Sequence, residues 1–334
     1  MSALVEVEGL RVSLPGPNGP VTIVDGLDFT VEEGEIFGIA GESGSGKTMS
    51  ALAMLRLLPP RAIVEGRIAY QGRELLALDN KSMRAVRGNE ISMVFQDPMT
   101  SLHPMLTIGK SLTTQVRQHF GMSRAEARKR AIEMLAEVRI PDPEGALASY
   151  PHQFSGGMRQ RIAIASALMC KPRLLIADEP TTALDVTVQA GVIRLLERLQ
   201  RENGLSVILI THDLGVMSTA ADRLTVMYAG RIVESGTTRR VLQDPWHPYT
   251  QGLLAALPRP DRSDDELVPI PGSPPTPALL PAGCAFHPRC PKVVDACRTA
   301  VPPLERIAGD RIACVVAAPI VTAEPTVDMK EGRS

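Results

Sequence analysis

No uninterrupted apolar stretch in these 334 residues approaches the 18 or more needed to cross a bilayer. Any membrane role is therefore expected to come through a partner. The start, MSALVEVEGLRV, lacks the basic region, apolar core and small-residue cleavage site of a secretory signal, so synthesis and retention in the cytoplasm are expected. An excess of either charge is missing too. The 36 Lys and Arg meet 37 Asp and Glu, a formal net charge of −1, which argues against a nucleic-acid partner, since such surfaces usually need a basic face. The densest basic run, residues 124–130, has Glu126 four residues ahead of Arg130 and reads as the solvated face of an amphipathic helix. No internal repeat is visible. Cysteine is scarce and uneven: Cys170 stands alone, while Cys284, Cys290, Cys297 and Cys314 crowd the end of the chain.

What is present is a glycine loop. Gly41-Glu42-Ser43-Gly44-Ser45-Gly46-Lys47-Thr48 fits G-x-x-x-x-G-K-[ST]. An apolar run, residues 36–40, precedes it, and a helix-compatible segment, residues 49–58, follows and stops at Pro59-Pro60. Strand, loop and helix together turn a short pattern into a predicted nucleoside-triphosphate site. The glycines let backbone N–H groups close around phosphate oxygens, and the helix start adds its positive dipole end. Lys47 is expected to reach the β- and γ-phosphates and the Thr48 hydroxyl to bind Mg²⁺.

Residues 1–245 read as one α/β domain. Antiparallel strands are expected at 5–12, 21–24 and 67–70, and buried parallel strands at 36–40, 91–95, 174–177 and 207–211. Residues 224–233 read as a hairpin turning at Ala229-Gly230, and residues 97–170 as an inserted helical subdomain. From Pro245 proline becomes frequent, which excludes long helices and predicts a chain running extended over a surface to about residue 320. Residues 321–334 are polar and expected to be disordered.

Two further elements bear on nucleotide chemistry. Leu174-Leu175-Ile176-Ala177 ends in Asp178-Glu179. Asp178 is suited to the Mg²⁺ shell and Glu179 to polarising an attacking water as general base. Upstream, Ser155-Gly156-Gly157 opens an apolar helix, with Ser155 as N-cap and two glycines leaving N–H groups bare for an anion. Standing before Asp178-Glu179, this is the arrangement of the ATP-binding cassette signature. Over residues 1–240 the chain resembles the ATP-binding subunits of ABC transporters. Gln96 matches the Q-loop glutamine, Thr182-Ala183-Leu184-Asp185 the D-loop and His212 the switch histidine.

The resemblance implies a P-loop NTPase cassette: a RecA-like core with an antiparallel β subdomain and a helical subdomain, plus a small cysteine-containing extension. It implies two cassettes facing head to tail, each ATP clamped between one chain's glycine loop and the other's signature. Ser155, Gly156 and Gly157 then act on ATP held by the partner. Gln96 joins Thr48 and Asp178 around Mg²⁺ and passes the nucleotide state to a membrane subunit. His212 contacts the γ-phosphate, and Asp185 serves interface geometry. The family commonly stacks adenine on an aromatic residue upstream of the loop; here only Phe29 is offered, which reads as a buried strand residue, so Leu14 or Ile23 is the expected platform.

Three stretches are similar to oligopeptide and dipeptide permease ATPases of the D type: residues 95–104, with His103 where asparagine is usual; residues 181–189; and Asp244-Pro245-Trp246-His247-Pro248-Tyr249-Thr250. His247 and Tyr249 read as packing and capping residues of the extension. That resemblance implies an importer ATPase for di- or oligopeptides, peripheral on the cytoplasmic membrane face. Its partners are two membrane subunits, a second and distinct ATPase chain and, indirectly, an external binding protein. A nickel, glutathione or other solute importer of the same class, a soluble ABC ATPase and a non-hydrolysing regulatory cassette are the alternatives. The four end cysteines are spaced C-x5-C-x6-C-x16-C, without the close pair of structural zinc sites, and disulfides do not suit a reducing cytoplasm. Members of this subgroup with similar GC-x-F-x-PRCP tails are associated with a [4Fe–4S] cluster, which needs Cys₄. Zn²⁺ and free or redox-responsive thiols are the alternatives. Cys170 reads as a packed, inert thiol.

Overall fold

Near-continuous apolar runs in parallel strands must be covered on both faces. The computed structural model, which describes residues 3–97, 101–182, 184–257, 269–307 and 309–316, shows how. Every residue of β3 (Ile36–Ala40), β7 (Leu174–Asp178) and β8 (Ser206–Thr211) is buried. Side chains alternate along a strand, and here they alternate between two cores. Phe37, Ile39, Leu174, Ile176, Ile208 and Ile210 enter one core with the Lys47–Met54 helix. Ile36, Ala40, Leu175, Ala177, Val207 and Leu209 enter the other with the later helices. Each Val, Leu, Ile or Phe side chain among them contributes about 1.5–3 kcal/mol by leaving water.

These strands are the centre of an eight-stranded sheet ordered β11-β12-β10-β9-β3-β8-β7-β6. β6 (Ile91–Val94), β7, β8, β3 and β9 (Arg223–Tyr228) are parallel; β10 (Arg231–Thr237) turns back on β9. The turn uses Ala229 (φ 47°) and Gly230 (φ 82°), the left-handed pair that tight hairpins favour. A second sheet, ordered β2-β1-β4-β5, is antiparallel: β1 (Ala3–Gly16), β2 (Gly19–Glu32), β4 (Ile63–Tyr70) and β5 (Arg73–Glu74). Phe29 is buried there and stacks on Phe37 at 5.3 Å.

Between β6 and β7 the chain is helical, as expected, with helices Ile108–Phe120, Arg124–Glu137, Pro143–Ala146 and Gly156–Leu168. Glu126 has a role that spacing did not reveal. Its carboxylate accepts the Ser123 N–H at 2.9 Å, closing a capping box at the start of its helix.

Among the described residues the proline-rich end has only short helices, of which Pro248–Ala255 has 8 residues. It also adds β11 (Glu305–Ile307) and β12 (Asp310–Ile312) to the main sheet, β12 pairing with β10. Fully buried Glu234 anchors this return. It is ion-paired with Arg240 and accepts the Trp246 and His247 N–H groups at 2.9 and 3.0 Å. His247 caps the Pro248–Ala255 helix, its Nδ1 accepting the Tyr249 N–H at 3.0 Å, and burial depresses its pKa to about 3. It is a neutral packing and capping residue, as its sequence context suggested.

Candidate nucleotide site

β3 ends at Ala40 and delivers Gly41 against the edge of β9, where a Cβ would run into the Met227 carbonyl oxygen. Gly46, at φ 100°, is the N-cap of the Lys47–Met54 helix and carries no side chain to cap it. The first-turn N–H groups are therefore left for an anion. Gly230 braces the loop by donating its N–H to the Ser45 carbonyl at 3.0 Å, while Ser43 and Gly44 form its exposed crown. Lys47 is 5% exposed and folds back, its Nζ donating to the Gly41 and Glu42 carbonyls at 2.7 and 2.9 Å. Burial lowers its pKa, against the opposing pull of the Glu179, Asp178 and Glu42 charges.

Asp178 ends β7 beside this loop. Burial raises its pKa, and a hydrogen bond with the Thr48 side chain works against that. Its Oδ1 is buried with no hydrogen-bond partner among the described residues. A buried carboxylate with one oxygen unengaged, next to a hydroxyl at the mouth of the loop, fits the hard-oxygen preference of Mg²⁺.

Glu179 follows in the left-handed region, φ 46°, which costs a non-glycine residue on the order of 1–3 kcal/mol. The chain holds it there: its N–H donates to the Ile210 carbonyl at 2.8 Å. Its carboxylate accepts from Thr182 Oγ1 at 2.8 Å and Gln96 Nε2 at 3.2 Å and lies 3.3 Å from His212 Nδ1. Burial pushes its pKa up, but the Thr182 and His212 contacts, with the charge of Lys47, bring the net shift below the ordinary glutamate value. The group is an ionised base ringed by donors. β6, β7 and β8 thus deliver Gln96, Glu179 and His212 to one point. Leu14 and Ile23, the expected base platform, are half-buried, and the Ile23 carbonyl lies against Gly46 and Gly230.

The signature residues do not join this cluster. Ser155 caps the Gly156–Leu168 helix, accepting the Met158 N–H at 3.3 Å. This start packs on the Val186–Asn203 helix, which Asp185 caps through the Val188 N–H at 2.9 Å. A Cβ on Gly157 would run into Val188 Cγ1, whereas one on Gly156 would meet Leu184 at an ordinary 3.6 Å. Because valine is stiff at χ1, Gly157→Ala is expected to destabilise the fold by about 1–3 kcal/mol. Gly156→Ala leaves melting unchanged, and thermal denaturation of the two variants checks the difference.

Comparison with known proteins agrees with this geometry. Residues 24–182 match the ABC transporter family model, and residues 233–297 match the C-terminal region of oligopeptide/dipeptide transporters. The chain is 49% identical to the oligopeptide transport ATP-binding protein OppD of Salmonella typhimurium, over 93% of this chain and 92% of that protein. The chain belongs to the oligopeptide/dipeptide family of ABC-transporter ATP-binding proteins. It is also 49% identical to the dipeptide transport ATP-binding protein DppD of Bacillus subtilis, over 90% of this chain and 91% of that one. Among solved structures it is similar to the dimeric structure of MJ0796, a bacterial ABC transporter cassette. The TM-score is 0.63 at 28% identity, covering 70% of this chain and 99% of that one.

Three residues of the cassette's site escaped the sequence reading. Thr182 lies in the D-loop stretch, but nothing in the pattern marked it as a donor to Glu179. Tyr249, read as packing, also accepts the Glu42 N–H on its hydroxyl at 2.9 Å. Arg289 stands inside the Pro288-Arg289-Cys290 run, and nothing near it in the chain marks it as a partner of the glycine loop. Cys170 is buried, and burial raises its thiol pKa, in keeping with an inert packing role.

The expected cysteine set does not form a closed metal site among the described residues. Cys284, Cys290, Cys297 and Cys314 do converge, since the other three bear electrostatically on Cys284 and the Cys284 N–H donates to the Cys297 carbonyl at 2.8 Å. Even so, no group of three or more His, Cys, Asp or Glu among the described residues is arranged to hold a metal ion. All five thiols are free, and burial raises the pKa of Cys284 and Cys290.

Among the described residues no helix is long and apolar enough to cross a membrane.

Proposed function

We propose that this chain is the ATP-hydrolysing subunit of an importer for di- or oligopeptides. It works head to tail with a second ATPase chain beneath two membrane subunits, on the cytoplasmic face. The observation that carries the chemistry is Glu179, ionised and held by Thr182, Gln96 and His212 beside Asp178 and Lys47. The peptide cargo is supported by the names of the relatives and by the matched C-terminal region.

In this reading the loop N–H groups and Lys47 bind the triphosphate, and Lys47 exchanges its two loop carbonyls for phosphate oxygens. Thr48, Asp178 and Gln96 would hold Mg²⁺, which would supply positive charge to neutralise the triphosphate. Glu179 orients a water and takes its proton; His212, 61% exposed at its side chain, faces the open side, where the γ-phosphate belongs. Ser155, Gly156 and Gly157 present bare N–H groups to ATP on the facing cassette, with Asp185 setting the interface. Gln96, hydrogen-bonded to Glu179, would report the occupancy of the site. The domain division follows the same logic: a cassette to residue 245, with its helical subdomain at 97–170, and an extension to about 320.

For the extension we favour a [4Fe–4S] cluster on Cys284, Cys290, Cys297 and Cys314. Such a cluster takes one thiolate from each of four cysteines, the number that this extension supplies. Affinity purification from membranes under anaerobic conditions tests both parts. Two membrane subunits and a second ATPase chain should accompany this chain, with ATP turnover stimulated by a peptide-loaded binding protein and with bound iron. Recovery without membrane companions would overturn the transporter reading; a colourless, iron-free complex would remove the cluster alone.

A further inference from the structure

Glu42 is the second residue of the phosphate loop, an awkward place for a negative charge beside a triphosphate. It is fixed at three points. Its N–H is held by the Tyr249 hydroxyl, its carbonyl by Lys47 Nζ and its carboxylate by Arg289. The last contact is a fork: Nη1 to Oε2 at 2.7 Å and Nη2 to Oε1 at 3.1 Å. Such paired charge-assisted bonds are the strong, geometrically specific kind. Arg289 is 6% exposed, and two further donors are committed as well, Nε to the Pro271 carbonyl at 2.9 Å and Nη1 to the Tyr228 hydroxyl at 3.3 Å. Phe286, three residues earlier, packs against Tyr228 and Tyr249 with ring centroids 5.2 and 5.3 Å away. The guanidinium therefore enters the loop from the extension as a rigid, preset cation.

We propose that Arg289 is a positioning residue of the nucleotide site, cancelling the Glu42 charge and setting the entry edge of the phosphate loop. The extension is then part of the phosphate-binding apparatus, which goes beyond its cysteines. The inference rests on the nucleotide-site reading above. Without Arg289 the Glu42 carboxylate has no counter-charge and repels the incoming phosphates; Lys47, its neighbour, is drawn toward it and away from them.

Equilibrium binding of a fluorescent ATP analogue with Mg²⁺ to the full chain tests this. Arg289→Ala is expected to weaken binding about tenfold, less than direct truncation of a buried interface charge pair, because Arg289 acts on the ligand through the loop. Adding Glu42→Gln to Arg289→Ala should return affinity to within about threefold of wild type, because no orphan carboxylate then remains. A purely structural role for Arg289 would not be rescued from the loop side. Should Arg289→Ala fail to fold, Arg289→Met keeps the buried stem and carries the same comparison. Wild-type chain that binds no nucleotide would sink the site reading itself. Wild type that binds, with the Arg289 variant within twofold of it or with the double variant no better than the single, would overturn the role of Arg289 alone.

Discussion

Replacing Glu179 with Gln is expected to lower steady-state ATP turnover by about 10²- to 10⁴-fold, the usual worth of a positioned general base, while nucleotide binding persists. The substitution changes little else. Gln occupies the same volume, tolerates the φ of 46° no worse than Glu, and its amide oxygen can still accept from Thr182. What it loses is the ability to take a proton. The expected product is a closed, ATP-loaded pair of cassettes, since closure is favoured by contacts made only in that state. Normal turnover by this variant in the assembled transporter would remove Glu179 from the base role. The environment of Glu179 also sets a direction for pH. Its pKa lies below the ordinary glutamate value because the Thr182 and His212 contacts outweigh burial. The base therefore stays ionised as pH falls past the usual glutamate range, and its loss on the acid side comes later than for an unperturbed glutamate.

Lys47→Ala should act one step earlier. The ammonium fills the loop, bonded to the Gly41 and Glu42 carbonyls at 2.7 and 2.9 Å, and its charge sits beside Asp178 and Glu179. Removing it leaves two carbonyls without that donor and three carboxylates, Glu42 included, around the place where a triphosphate must sit. With charge-assisted hydrogen bonds worth about 1.5–3 kcal/mol each, ATP affinity should fall on the order of 10- to 100-fold. Uptake should fall to background even at saturating peptide. Nucleotide titration and transport in reconstituted vesicles measure the two effects separately. Undiminished affinity together with undiminished uptake would mean that the loop does not hold the triphosphate.

Much of this site was legible because its chemistry sits in short runs with local causes. A glycine loop between an apolar run and a helix start predicts a phosphate cradle from backbone geometry alone. Asp178 and Glu179 follow four apolar residues, so a buried strand had to deliver them at its end. Ser155 was readable as an N-cap because capping needs only the next three residues. Other features were hidden for an equally physical reason. Glu126 could pair forward with Arg130 or back to Ser123, and the cap amide was closer at hand. Tyr249 looked like packing because nothing near it in the chain says that its hydroxyl ends at Glu42.

By itself the sequence determined the local conformations and the kind of chemistry: loop, strand ends, caps and a triphosphate site all follow from spacing over a few residues. The tertiary structure alone decided partnership. Glu42 and Arg289 are 247 residues apart, and only the return of the extension onto β10 and β9 brings the fork to the loop. The same packing gathers four cysteines that no short motif unites. The reason is that backbone preference acts within a turn or two of chain, whereas a salt bridge or a thiol cluster depends on where whole elements come to rest against one another.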